Sequence, residues 1–173
     1  MALVNYHFSS KEMLFEAAVE RRAARLSELW RNALNGMRVH RNFGVDDIFA
    51  AWWQPFADAD LGEKAPWSNY LCVVARLASA PDGEAWHTRY FGQIDEAFLH
   101  ALGEAAPSVL AEDREAAFRY ARCLFGEVLL RHCGKTGGAC RPRGFRNDDI
   151  GRLIRYLGSG VQGLGRRVAI AAD

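Results

Sequence analysis

The sequence predicts an all-α protein. Apolar residues recur at three-and-four spacing along most of the 173 residues. No stretch keeps the period-two alternation of a strand. Capping residues and prolines cut the chain into helix-length pieces. Half of the residues are apolar, enough for a chain of this size to bury one good core, so one main domain is expected.

The first helix is expected from about Ser10 to about Gly36, with Leu14, Ala18, Arg22, Leu26, Leu29, Ala33 and Met37 as its stripe. At 1.5 Å rise per residue it would be roughly 40 Å long. Its start carries a capping box: the Ser9 hydroxyl accepts from an orphan amide and Glu12, three residues on, reaches back to the cap. Phe8 and Met13 flank that cap as a hydrophobic staple. Met37 to Gly44 reads as a polar, basic linker.

A second helix opens near Asp46 and carries Ile48, Phe49, Trp52, Trp53 and Phe56. Pro55 is expected to kink or end it, having no amide proton and clashing with the preceding turn. Asp58 to Ala65 reads as a loop, and Pro66 as the first residue of a third helix that stops before Pro81. Asp82 is placed to cap a fourth helix bearing Trp86, Tyr90, Phe91, Ile94, Ala97, Phe98, Ala101 and Leu102, which Pro107 and Ser108 end.

A fifth helix is expected over about Leu110 to Cys133, with Ala117, Ala121, Leu124 and Val128 on one stripe and Phe118, Phe125 and Leu129 beside it. Gly134 to Gly144, rich in glycine and positive charge, is expected to be mobile. The last helix, capped by Asn147 or Asp148, carries a near-heptad seam of Ile150, Leu153, Ile154, Leu157, Val161, Leu164 and Val168. Gly151, Gly158 and Gly165 recur seven apart beside that seam. Each costs about 1 kcal/mol relative to alanine inside a helix, which points either to a surface where another backbone comes close or to a weak, frayed helix.

Composition narrows the function. A formal net charge of +1 excludes a uniformly basic nucleic-acid binder but not a local DNA-contacting patch. Cys72, Cys123, Cys133 and Cys140 lack both Cys-x-x-Cys spacing and the density of a disulfide scaffold, so reduced thiols in a cytoplasm are expected. No signal segment and no apolar run near eighteen residues stands out. His132, Cys133 and Cys140 gather near one loop with irregular spacing, more in keeping with ordinary thiols than with a soft-metal site. Gly134-Lys135-Thr136 resembles the tail of a phosphate-binding loop, but the glycine needed five residues earlier is Leu129. No catalytic motif is present, and an enzyme is not expected. No cofactor is implied.

Aromatic residues are the richer signal. Trp52, Trp53, Phe56, Trp67, Tyr70, Trp86, Tyr90, Phe91, Phe118 and Phe125 are spread over four helices that must pack together. Each taken singly reads as core. Together, bulky rings in a small helical domain leave gaps, and pockets lie between helices. Trp52, Trp53, Phe56, Tyr70, Trp86, Tyr90, Phe118 and Phe125 are the expected lining of a pocket for a small, largely apolar effector. Arg122, four residues after Phe118, is preferred over Arg76 as the group that orients it.

Residues Leu3 to Lys11, read as Leu-Val-Asn-Tyr-His-Phe-Ser-Ser-Lys, resemble the closing segment of the DNA-reading helix-turn-helix in the tetracycline-repressor (TetR) family of transcriptional regulators. In that family a Tyr-His-Phe run ends the recognition helix, and Ser-Lys-Glu opens a long linking helix. The resemblance implies that Tyr6, His7 and Lys11 touch DNA phosphates and that Asn5 meets phosphate or a base edge, contacts that position without reading sequence. The alternative for Tyr6, the lesser of the two, is an aromatic that ties the head to the long helix. Residues 1–9 are then expected to be the end of a DNA-reading head, and residues 10–173 a ligand-binding and dimerisation body.

A weaker resemblance runs from about Val45 to the end. It implies that the last two helices pair with their symmetry mates, through Leu124, Val128, Ile154, Leu157, Gly158, Val161 and Gly165, in a two-fold homodimer. The function so implied is a ligand-responsive DNA-binding regulator, most simply a repressor of operator DNA. The 173 residues themselves are expected to dimerise yet bind DNA poorly. The competing reading is a free-standing helical dimer that holds a hydrophobic small molecule or a protein partner without DNA.

Overall fold

The computed structural model describes residues 10–40, 42–58, 70, 73–77, 80–132 and 147–165, and they form an all-α protein. The helices are α1 (Lys11–Arg38), α2 (Val45–Asp58), α3 (Gly83–Ala105), α4 (Ala111–His132) and α5 (Asn147–Leu164). Tyr70 and residues 73–77 are also helical, where the third helix is expected; Pro66 and Trp67 lie outside the described residues. No strand occurs among the described residues.

The cap of α1 sits one residue later than expected. Ser10 is the N-cap, extended at φ −150° and ψ 164°, and its hydroxyl accepts from the Met13 amide at 3.2 Å. Either serine has the hydroxyl a cap needs. With Ser10 in that role the third helical position is Met13, so the reciprocal glutamate arm of a capping box is absent. Ser9 and Phe8 lie outside the described residues.

α1 also runs past Gly36 to Arg38, which shortens the linker. Arg38 sits in the last turn, where a cation complements the helix dipole. Its guanidinium donates to Glu104 of α3 at 3.1 Å and so fastens that turn to its neighbour.

Which side of α1 faces inward is the main departure from the sequence pattern. Val19, Ala23, Leu26, Trp30 and Leu34 are buried, whereas Arg22, Leu29, Ala33 and Met37 are half-buried and Ala18 is exposed. The apolar band of α1 is wide enough to admit both settings, and the largest side chain decides between them. Trp30 stacks on Trp52 at 5.5 Å and meets Phe56, Phe91 and Phe98 edge-on at 5.7, 5.4 and 6.4 Å. Its indole N–H donates to the Trp52 carbonyl at 2.7 Å, so the one polar atom of the ring is satisfied in the core.

α2 packs against α1, α3 and α5. Asp46 and Asp47 stand in its first turn, and the Asp47 carboxylate accepts the Gly44 amide at 2.8 Å, which satisfies an amide just ahead of the helix. Pro55 does not end the helix, which continues to Asp58. Ile48, Phe49, Trp52, Trp53 and Phe56 are all buried, and their packing on two sides outweighs the hydrogen bond that proline removes.

α3 buries Phe91, Ile94, Phe98, Ala101 and Leu102, with Trp86, Tyr90 and Ala97 half-buried. Asp82 occupies its N-cap position but makes no side-chain cap bond. The turn into α4 is tied by Arg114, which donates to the Val109 carbonyl at 2.7 Å. α4 turns Ala117, Phe118, Ala121 and Phe125 inward.

α5 lies on α2 and α4 and buries Ile150, Leu157 and Val161. Gly158 faces the Asp46 side chain so closely that a Cβ there would collide with it. The tight approach read from the glycine spacing therefore exists at Gly158, but it is made within the chain. Gly165 lies beside Val109 and Ser108, and Gly151 beside Arg155. Val168 lies outside the described residues.

Candidate functional site

The nine side chains expected around one ligand fall into three places. Trp52, Trp53, Phe56, Phe118 and Phe125 are buried against one another, as with Trp52 and Phe125 at 4.8 Å, Trp53 and Phe125 at 5.0 Å and Trp52 and Phe56 at 5.1 Å. Phe118 also stacks on Phe98 at 5.9 Å. These rings fill the space between α1, α2, α3 and α4 and act as core. Trp30, the ring that joins them, is missing from the sequence-based set; its buried-face spacing with Val19, Ala23 and Leu34 is the signal that marks it. Trp52 Nε1 has no hydrogen-bond partner there.

Trp86 and Tyr90, in contrast, line an open cleft of about 450 Å³ beside the first turns of α1. Phe15 and Val19 of α1, Leu77, and Trp86 and Tyr90 of α3 make its apolar walls, and Lys11, Glu16 and Arg89 its charged rim. The indole and phenol rings sit 5.3 Å apart at 47°. The Arg89 guanidinium lies 5.2 Å over the Tyr90 ring and reaches the Glu16 carboxylate only at 3.8 Å, with both side chains more than half exposed. Phe15, 48% exposed, is an apolar ring that this cleft leaves uncovered. Tyr70 does not line this cleft but is buried with the core rings, and desolvation pushes its hydroxyl well above the ordinary value, opposed by the charge of Arg22.

Arg122 occupies the third place, a partly buried ion network between α3 and α4. Nη1 donates to Asp95 at 3.1 Å and Nη2 to Glu84 at 2.9 Å. The same Asp95 oxygen lies 2.8 Å from His87 Nε2; a carboxylate can only accept, so that ring nitrogen carries the proton of the bond. His87, Glu84 and Arg122 line a small cleft of about 170 Å³, with the exposed thiol of Cys123 on its wall. Arg122 is thus committed to two carboxylates, although its Nε is buried without a partner. Arg76 is exposed.

The hydrogen bond from Arg122 holds the Glu84 carboxyl below its ordinary value of 4.5, against a smaller opposing effect of burial. A lowered folded-state value means that the carboxylate stabilises the fold fully above the unfolded value. That contribution is lost as pH falls through the lowered one. Glu84→Gln is therefore expected to be less stable than the wild type at neutral pH and equal to it in acid. Urea unfolding followed across that range reads the difference; a gap that persists unchanged into acid would contradict the role.

Of the residues expected at DNA, Asn5, Tyr6 and His7 lie outside the described residues. Lys11 is the first residue of α1, exposed and on the rim of the 450 Å³ cleft. The dimer candidates divide as well. Leu157 and Val161 are buried within the chain and Gly158 abuts Asp46 of α2. Val128 and Ile154 are half-buried against the core. Leu124 faces out, as do Tyr120 of α4 and Tyr156 of α5, the last 70% exposed. Gly160 and Gly163 share the Tyr156 side of α5 by helical spacing, and a Cβ at either would meet open space.

Among the described residues no three His, Cys, Asp or Glu side chains converge as a metal site; the Cys133 and Cys140 candidates lie outside them. No helix described is long and apolar enough to cross a membrane. The chain matches no protein-family model and no curated protein.

Proposed function

We propose that the chain is the ligand-binding and dimerisation body of a ligand-responsive, DNA-binding transcriptional regulator, most simply a repressor. The observation that carries this reading is the layout of α1. Its 28 residues span roughly 40 Å. From Val19 to Leu34 its inner side is locked into the core around Trp30, while its first turns stand exposed at Lys11, Met13 and Phe15 beside a ligand-sized cleft. A helix held along its later turns and touched at its first ones by a small molecule acts as a lever. The Tyr-His-Phe-Ser-Ser-Lys run leading into that end is where the TetR resemblance lies. Ligand binding that tilts the first turn would shift two DNA-reading heads away from half-sites one turn of DNA apart. Coupling of about 1–3 kcal/mol is typical of such linkage.

The outward apolar side chains of α4 and α5 supply the second element. Tyr120, Leu124 and Tyr156 are large and exposed on two helices that pack side by side. Exposed apolar surface of this kind marks association, and a two-fold pairing of these faces would cover it in both copies. Gly160 and Gly163 would let the partner's backbone come close. This set replaces the inward-facing Leu157, Gly158 and Val161.

Sedimentation velocity of the 173-residue chain is expected to give a dimer, and Leu124→Asp with Tyr156→Asp a folded monomer. DNA selection with the longest reading frame that contains these residues should recover palindromic sites released by effector. A chain that stays monomeric at all concentrations would sink the proposal. A dimer that selects no DNA leaves the ligand-binding helical dimer as the surviving reading.

A further inference from the structure

We infer that the cleft beside the first turns of α1 takes a small organic anion with an aromatic or otherwise apolar body. The inference rests on reading that cleft as a ligand site and adds the chemistry of what it holds. Its volume of about 450 Å³ falls in the range of small-molecule pockets. Its walls are Phe15, Val19, Leu77, Trp86 and Tyr90, which offer ring faces and edges to an apolar body but few groups to pair with a polar one. A sugar or nucleotide would leave its hydroxyls unpaired against such walls, at a cost for each one desolvated.

Charge on the rim sets the sign of the ligand. Lys11 and Arg89 contribute two positive groups and Glu16 one negative. Glu16 is a weak competitor, since it meets Arg89 only at 3.8 Å across solvent-exposed side chains. Lys11, as the first helical residue after the Ser10 cap, also stands at the positive end of the α1 dipole. An organic cation would meet net repulsion here, and a neutral ligand would leave both cations unused. A carboxylate seated between Lys11 and Arg89, its ring against Trp86 and Tyr90, bridges α1 to α3. That bridge fixes the orientation of the end of the lever.

Isothermal titration of the 173-residue chain with naphthoate, naphthylmethanol and naphthylmethylammonium tests this, because the three share a ring system and differ in charge. Naphthoate is expected to bind tightest and the ammonium weakest. Lys11→Ala and Arg89→Ala, both at exposed positions, should each weaken naphthoate about threefold and together about tenfold, in line with exposed charge pairs. Glu16→Gln should tighten it about threefold. Naphthylmethanol binding as well as naphthoate would overturn the anion assignment while leaving the cleft a ligand site. Naphthoate binding untouched by the double substitution would place the ligand elsewhere. Binding of none of the three would remove the cleft from the regulator reading altogether.

Discussion

Trp30→Ala is expected to unfold the protein or bring it to the edge of unfolding. The ring is 2% exposed and contacts Trp52 and Phe56 of α2 and Phe91 and Phe98 of α3. Truncating a buried aromatic costs about 3–5 kcal/mol. Loss of the indole bond to the Trp52 carbonyl adds about 1 kcal/mol. Against a total stability of about 5–15 kcal/mol for a domain, that is most of what a weakly stable domain has. Urea unfolding by circular dichroism reads the loss. Trp30→Phe should fall between, keeping most of the ring contact and losing the donor. A loss below about 1 kcal/mol for the alanine variant would mean that α1 is not fastened to the body at this ring, and the lever would lose its fulcrum.

Asp95→Ala carries the second largest effect. This one carboxylate serves both His87 and Arg122, and its removal leaves a mostly buried guanidinium with only the exposed Glu84 for company. Breaking a fully buried ion pair from one side costs about 3–5 kcal/mol. Here Asp95 and Arg122 keep some solvent access, so about 2–3 kcal/mol is expected. The diagnostic feature is the double substitution. Adding Arg122→Met to Asp95→Ala removes the stranded charge and should recover about 1 kcal/mol or more. Strict additivity of the two losses would show that the pair does not interact energetically.

Much of the architecture could be read from the residues, and the reasons differ by element. The 3.6-residue period and the breaks at Pro81 and Pro107 mark helices because proline and apolar spacing act locally. α3 accordingly appears close to where it is expected. The inward side of α1 was not legible in the same way. Its apolar band is broad, and only the partners that Trp30 finds on α2 and α3, distant in sequence, select one half of it. Pro55 shows the same competition from the other side: a local breaker is overruled by burial of Trp52, Trp53 and Phe56.

The candidate site was legible as a set of residue types but not as a place. Helical spacing puts rings on faces, yet it cannot say which faces close against one another. Trp52, Phe118 and Phe125 close into core, while Trp86 and Tyr90, one turn apart on α3, stay half-open beside Phe15. Arg122 is partly buried and Arg76 exposed, but the partners of Arg122, Glu84 and Asp95, sit 38 and 27 residues away in sequence, beyond any local pattern. The glycine register on α5 marked a close approach, but not that Asp46 of the same chain would be what approaches at Gly158.

The paired indoles of Trp30 and Trp52 also give the molecule an internal optical gauge. At 5.5 Å and 20° between planes, their excited states couple, and the coupling depends steeply on separation and twist. One indole rides on the first helix and the other on the second, so a small rotation between those helices changes the near-ultraviolet dichroic signal. No label has to be attached.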